Sequence, residues 1–378
     1  MIQKTYEYHN LGVRIESSVF QTGKGADEAH IMVHVDARGD LFEAQLMRLQ
    51  DGVKRFLTEE LTNMSIAMQR YFLSDATNQA TYFQKELCTN TSLIQQPPLD
   101  GSKVALWIYL IETEKIETWE STHVVKLNNY TLLFDLGMQS NHGTSAEQTT
   151  TLLEDYERRL AHWNATIADN CIRTWFYVRD VDIQYAGMVK ARKENFTREG
   201  LTHETHYIAS TGIQGLPSDP KSIIQLGAMA FLGISPTQQR YLYGATHLNP
   251  TYEYGVTFER GTAIDFGDRT HAYISGTASI NNRGEVVHVG DIIGQTNRMM
   301  ENVEVLLTET DMNAKDVAQI IVYLRDICDY TTVKPMIEER FKNVPMVIIV
   351  APVCRPEWLI EMECIAVKQT THEEYKNF

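Results

Sequence analysis

Hydrophobic positions along the chain fall into a recurring order of helix-like and strand-like runs. Residues 148–162 place Leu152, Leu153, Tyr156 and Leu160 on one side at helical spacing, and residues 295–308 repeat this with Met299, Val303, Leu306 and Leu307. A strand and a polar turn precede each helix, at 130–143 and 271–284. Downstream, Tyr177-Val-Arg-Asp-Val181 returns as Tyr323-Leu-Arg-Asp-Ile327. Each is followed by a helical stretch ending near Phe196 or Phe341 and then by a pair of apolar strands. The first 115 residues read as a more divergent third copy. Residues 29–35 form its strand, 42–59 its helix and 103–110 its closing strand, with Tyr71-Phe-Leu-Ser-Asp75 where Tyr-Leu-Arg-Asp stands later.

Each copy therefore predicts strand-hairpin, helix, strand, helix and strands, an α+β sheet with helices on one face. The predicted units are 1–120, 121–250 and 251–378, and three like units in one chain predict an intramolecular pseudo-trimer. Pockets are then expected where strands of one unit meet side chains of the next. The sequence leaves open whether chains associate further.

Composition narrows the function. A formal charge of -15 opposes nucleic-acid binding, which needs concentrated positive charge, and Lys190, Arg192 and Lys193 are too few to reverse it. The same charge opposes long-range capture of an anionic metabolite, so such a substrate needs a local arginine pocket. No run approaches the roughly 20 apolar residues that cross a bilayer. The first residues lack the apolar core of a signal peptide, and five cysteines without metal-ligand spacing fit a reducing cytoplasm.

The candidate chemistry lies near the C-terminal end. Aligning the closing strands sets Glu361 against Gln225, and against Ile108 in the first unit, so an acid there is not required by the repeated architecture. Glu363 pairs with Gly227 and shares a strand face with Glu361, and two such acids can raise one pKa. An exposed sheet face or an internal ion pair is the plainer reading. Arg173 and Arg355 can hold a carboxylate or serve an internal acid. Cys354 has no neighbouring histidine and reads as a packing or pocket-shaping residue. Thr22-Gly-Lys-Gly25 is too short for a phosphate loop, and His203 with His206 lacks further metal ligands. Ser275, Gly276, Thr277 and Ala278 permit close approach of a ligand or of another strand.

Ile274-Ser-Gly-Thr-Ala-Ser, Gln295-Thr-Asn-Arg-Met-Met-Glu-Asn-Val303 and Ile360-Glu-Met-Glu-Cys-Ile-Ala-Val367 resemble the RidA/YjgF superfamily across residues 255–370. Pro345-Met346 stands where its imine deaminases carry a substrate-binding arginine. Arg173-Thr-Trp, Tyr254-Gly-Val-Thr-Phe-Glu-Arg-Gly261 and Cys354-Arg-Pro-Glu-Trp-Leu-Ile-Glu361 are more similar to the chorismatase branch. That resemblance implies removal of pyruvate from chorismate without cofactor or metal. It implies Glu361 as catalytic acid, Arg173 as substrate-binding residue, and Cys354 and Gly267 as marks of a 3-hydroxybenzoate-forming type. Arg355, Tyr177 and Tyr254 are further candidates to hold the substrate, with Thr277 and Glu363 shaping the pocket. The alternatives are a deaminase with a relocated anion site and a noncatalytic small-ligand or protein-interaction module.

Overall fold

A computed structural model describes residues 1–83, 89–113 and 115–378, with the side chain of Tyr254 outside the described set. Strands β1 to β6 are Ile2–Tyr8, Val13–Phe20, Glu28–Val35, Ser65–Leu73, Thr91–Gln95 and Val104–Ile111. Strands β7 to β12 are Ile116–Trp119, Thr122–Lys126, Thr131–Gln139, Cys171–Val178, Ala209–Gln214 and Ile224–Leu232. Strands β13 to β18 are Gln239–Leu242, Gly261–Asp265, Arg269–Ala278, Val317–Leu324, Met346–Val350 and Ile360–Gln369. They build three six-stranded sheets of one topology: β1-β2-β3-β6-β4-β5, β7-β8-β9-β12-β10-β11 and β13-β14-β15-β18-β16-β17. In each, only the last pair is parallel, because a crossover connection returns the chain before the neighbouring strand starts. The α+β pseudo-trimer expected from the repeats is the architecture observed.

Helices are α1 (Phe42–Glu60), the single turn α2 (Ala76–Gln79), α3 (Ser145–His162), the single turn α4 (Ile167–Asn170), α5 (Val181–Arg198), α6 (Ile292–Thr308) and α7 (Tyr330–Arg340). Local sequence starts α3 and α6. Thr144 and Glu147 form a reciprocal capping box at α3, and Asp291 accepts from Gly294 N–H at α6. Leu152, Leu153, Tyr156 and Leu160 of α3 pack on Val124, Leu133 and Phe176 of their own sheet.

Strand alternation divides the interior. In β6, Val104, Leu106, Ile108 and Leu110 face the core under α1, whereas Ala105, Trp107, Tyr109 and Ile111 face a core shared by all three sheets. Trp107, Phe134, Trp175, Tyr273 and Ile321 meet there. Among the described residues no helix is long and apolar enough to cross a membrane.

Candidate active site

Strand β18 lies between β15 and β16, with Glu361 opposite Ala278 on one side and Tyr323 on the other. The inward face of the strand points between units, so Glu361 and Glu363 lie in the interior and not on an exposed sheet face; they are 5% and 1% exposed. A bulge in β15 sets Ser275 and Gly276 against Glu363 between the Ile274–Cys364 and Thr277–Met362 pairs. A methyl group on Gly276 would overlap the Glu361 carboxyl, which is why the bulge carries a glycine.

Register fixes the counterparts of Glu361. Tyr323 pairs with Glu361, Tyr177 with Gln225 and Phe72 with Ala105. The first-unit counterpart is thus Ala105 and not Ile108. The continuous apolar run of β6 carries no polar residue to mark its register, so a shift is easily made from sequence. Neither Gln225 nor Ala105 is an acid, and the carboxylate belongs to one unit alone.

Glu361 stands in the wall of a cavity of about 360 Å³. Middle-unit residues Tyr185, Arg192, Ser210 and Gly212 form one side, and Arg260, Gly276, Cys354, Arg355 and Trp358 form the other. Arg192 is 1% exposed and bridges the units, with Nε donating to Thr257 Oγ1 (3.2 Å) and Nη1 to Ser210 Oγ (3.5 Å). Arg260 donates to the Asn249 carbonyl (3.0 Å), and the Arg355 guanidinium lies 4.7 Å from the Trp358 ring centroid. Three arginines gathered around one cavity give an acidic chain a local positive field.

No donor among the described residues hydrogen-bonds the Glu361 carboxyl. Burial, reinforced by the Glu363 charge and opposed by Arg173 and Arg260, pushes its pKa up to about 8. The group is a carboxylic acid at neutral pH. Burial, with Glu361 adding to it, likewise pushes the Cys354 thiol up to about 12, which leaves it a poor nucleophile. That agrees with Cys354 as a wall residue.

At the two equivalent interfaces the corresponding positions are filled among the described residues. Between the first and middle units, Gln139 Nε2 donates to Gln225 Oε1 (2.8 Å), and Gln225 Nε2 donates to Ser92 Oγ (3.1 Å). Between the C-terminal and first units, His34 lies between Asp100 and Glu16, Glu16 pairs with Arg14, and about 20 Å³ remains. Register makes Ala278, Gln139 and His34 equivalent. The third interface is open where the counterpart is only a methyl group.

The structure redistributes the other expected residues. Cys354 and Arg355 line the cavity. Arg173 does not: it is 2% exposed, behind the wall, and donates to Thr211 Oγ1 (2.6 Å) and Glu363 Oε2 (2.8 Å). Glu363 is thereby an internal ion-pair partner, also outside the cavity lining. Tyr177 lies in the shared core with no hydrogen bond from its hydroxyl among the described residues. Thr277 turns its hydroxyl to the Ser275 carbonyl (2.9 Å), so it supports the bulge without facing the cavity. The Tyr254 side chain lies outside the described residues.

Gly267 is not in the cavity. It sits under the C-terminal segment, where a Cβ would come within 2.6 Å of both the Tyr375 carbonyl and Asn377 Oδ1. Gly267→Ala is expected to lower stability by about 1–3 kcal/mol through overpacking, read by thermal unfolding, with KM unchanged. A changed KM at unchanged stability would return Gly267 to the site. The residues that sequence reasoning missed are Arg192, Arg260, Tyr185 and Trp358.

Similarity to known proteins converges on the same region. The endoribonuclease L-PSP family model matches residues 262–368. A RutC family protein of Pyrococcus abyssi is 36% identical over 88 residues, 23% of this chain and 68% of that protein. The 3-aminoacrylate deaminase RutC of Acinetobacter baylyi is 29% identical over 96 residues, 25% of this chain and 76% of that protein. Across nearly the whole molecule, a chorismatase crystal structure has the same fold, with a TM-score of 0.64 and 16% identity over 93% of this chain and 98% of that one. Through its C-terminal unit, the chain belongs to the RutC family of endoribonuclease L-PSP-like proteins.

Proposed function

We propose that the protein removes pyruvate from chorismate, with Glu361 as the general acid. The observation that carries this reading is a buried carboxyl in the wall of an arginine-lined cavity, where burial favours its protonated form. The pyruvate-bearing side chain of chorismate is an enol ether, unreactive until its methylene carbon takes a proton. Glu361 donates that proton, and the adjoining carbon becomes oxocarbenium-like. Water attack there gives a hemiketal that collapses to pyruvate and a nonaromatic diol. Attack by the neighbouring ring hydroxyl leads instead toward 3-hydroxybenzoate. Ionised Glu361 then accepts the proton of the nucleophile, and Arg192, Arg260 and Arg355 neutralise the two substrate carboxylates. The fold shared with a chorismatase supports the reading.

Register weighs against the deaminase alternative. Met346 has Ser210 and Thr91 as its counterparts in the other two parallel strand pairs, and none of the three is an arginine. Incubating the purified chain with chorismate and identifying products by chromatography and mass spectrometry tests the proposal. Pyruvate with 3-hydroxybenzoate or with the diol is expected; unchanged chorismate in the presence of folded protein would overturn it.

The pH dependence follows from the same group. A general acid works only while protonated, and Glu361 loses its proton as pH rises through about 8. The plot of kcat/KM against pH is expected to be flat on the acid side of that value, as far as Glu361 is concerned, and to fall about tenfold per unit above it. A limb with its midpoint near the ordinary glutamate range, about 4.3, would show that the essential acid is an unperturbed carboxyl and that Glu361 is not held protonated at neutral pH.

A further inference from the structure

Two residues beyond Glu361 on the same inward face of β18, Glu363 is a meeting point of all three units. Its Oε2 accepts from Arg173 Nη2 (2.8 Å) and Thr211 Oγ1 (2.5 Å), and its Oε1 accepts from Trp175 Nε1 (2.8 Å). From the first unit, Arg70 Nη1 stands 3.9 Å from Oε1. The Arg70 guanidinium is buried among Trp107, Trp175 and Tyr177, at 5.0, 4.5 and 5.3 Å from their ring centroids. Thr211 Oγ1 also accepts the Gly276 N–H (2.9 Å). The bulge that abuts Glu361 is thereby tied to Glu363.

The fold does not call for this arginine. Register gives Trp175 and Ile321 as the counterparts of Arg70 in the other two units. Replacing a buried ion pair with well-packed apolar residues is often neutral or stabilising, so a role in packing does not account for it. The charge count does. Within the buried Glu363 cluster, the guanidiniums of Arg70 and Arg173 have one carboxylate while Glu361 is protonated and a second beside it once Glu361 has given up its proton, with Arg260 acting on Glu361 from the cavity side. Arg70 therefore favours the ionised state left after proton donation, while Glu363 keeps Glu361 from being ionised beforehand.

We propose that Arg70 and Glu363 are positioning residues through which the first unit, though none of its described residues lines the cavity, sets how readily Glu361 holds or releases its proton. This rests on Glu361 being the acid. The other titratable groups facing Glu361 or its cavity are Arg173 on β10, Asp182, Tyr185 and Arg192 on α5, Tyr323 on β16, Arg260 before β14, and Cys354 and Arg355 before β18. All of them stay in place in the variants below.

The test follows the infrared carbonyl band of protonated Glu361 through pH, assigned by difference from Glu361→Gln and needing no substrate. Glu363→Gln removes the negative charge that raises Glu361 and leaves every guanidinium in place, so it is expected to move the band's titration down by about one pH unit or more. Arg70→Met removes one guanidinium and is expected to move it up by about one unit. The double variant restores the charge count and is expected to titrate between the two. A merely structural role would lower the unfolding temperature and leave the band's midpoint where it was. An unmoved band, or shifts of the same sign in both single variants, would overturn the proposal. Should Glu363→Gln not fold, Arg70→Met decides by itself, since an unmoved band there has the same consequence. Opposed shifts in a protein that leaves chorismate unchanged would support the tuning while removing the substrate assignment.

Discussion

Glu361→Gln is expected to reduce kcat by about 10²–10⁴-fold, the usual contribution of a positioned acid, while chorismate still binds. Glutamine keeps the shape and the polarity but has no proton to give to carbon. No hydrogen bond among the described residues is lost by the change, so the variant should fold. Its stability should also diverge from wild type with pH in a fixed sense. The buried carboxyl titrates at about 8 in the folded chain, above the ordinary glutamate range. Its neutral form therefore favours folding most fully below that range, and this contribution fades as pH rises through 8. Wild type should accordingly lose stability relative to Glu361→Gln as pH rises from about 4.3 to about 8, and level off above that. Full turnover in the variant would end the proton-transfer role. A stability difference that stays constant with pH would show that the carboxyl is not held neutral.

Arg192→Met is expected to raise KM for chorismate by about 10–100-fold, with a smaller change in kcat. Hydrogen bonds to a charged partner are worth about 1.5–3 kcal/mol, and each 1.4 kcal/mol is about tenfold in affinity. Methionine refills much of the space of the arginine stem beside Phe176, whose ring centroid lies 5.5 Å from the guanidinium. The loss of charge then dominates over any cavity. The readout is steady-state kinetics beside a thermal unfolding curve. An unchanged KM in a folded variant would show that the substrate carboxylates bind elsewhere in the cavity.

Much of the fold was legible because two periodicities carry it. Helical spacing in residues 148–162 and 295–308 and the repeated Tyr-x-Arg-Asp segments mark the second and third sheets. Glu361 was legible because a carboxylate interrupts an apolar strand in one unit only. The cavity arginines were hidden for a physical reason. Arg192 sits between Lys190 and Lys193 and reads in sequence only as part of a basic run too short to bind nucleic acid. On α5, however, it lies one helical face with Tyr185, Met188 and Phe196, at spacings of seven, four and four, and that face is turned inward. Reading the spacing in place of the local charge would have found it. Arg173 misled in the opposite way. Its strand is central to a sheet and its partner, Glu363, lies 190 residues away on another sheet, a pairing that no local pattern contains. Gly267 shows the limit of resemblance by segment. The small residue that makes room for the acid is Gly276, while Gly267 makes room for the end of the chain.

Chorismate turnover in water enriched in ¹⁸O tests the central claim most directly, with mass analysis of the ring product. If Glu361 protonates the enol ether and attack follows at the side-chain carbon, pyruvate is released and the ring product keeps only its original oxygens. Folded protein that releases no pyruvate, or a ring product carrying ¹⁸O from direct attack on the ring, would contradict the account.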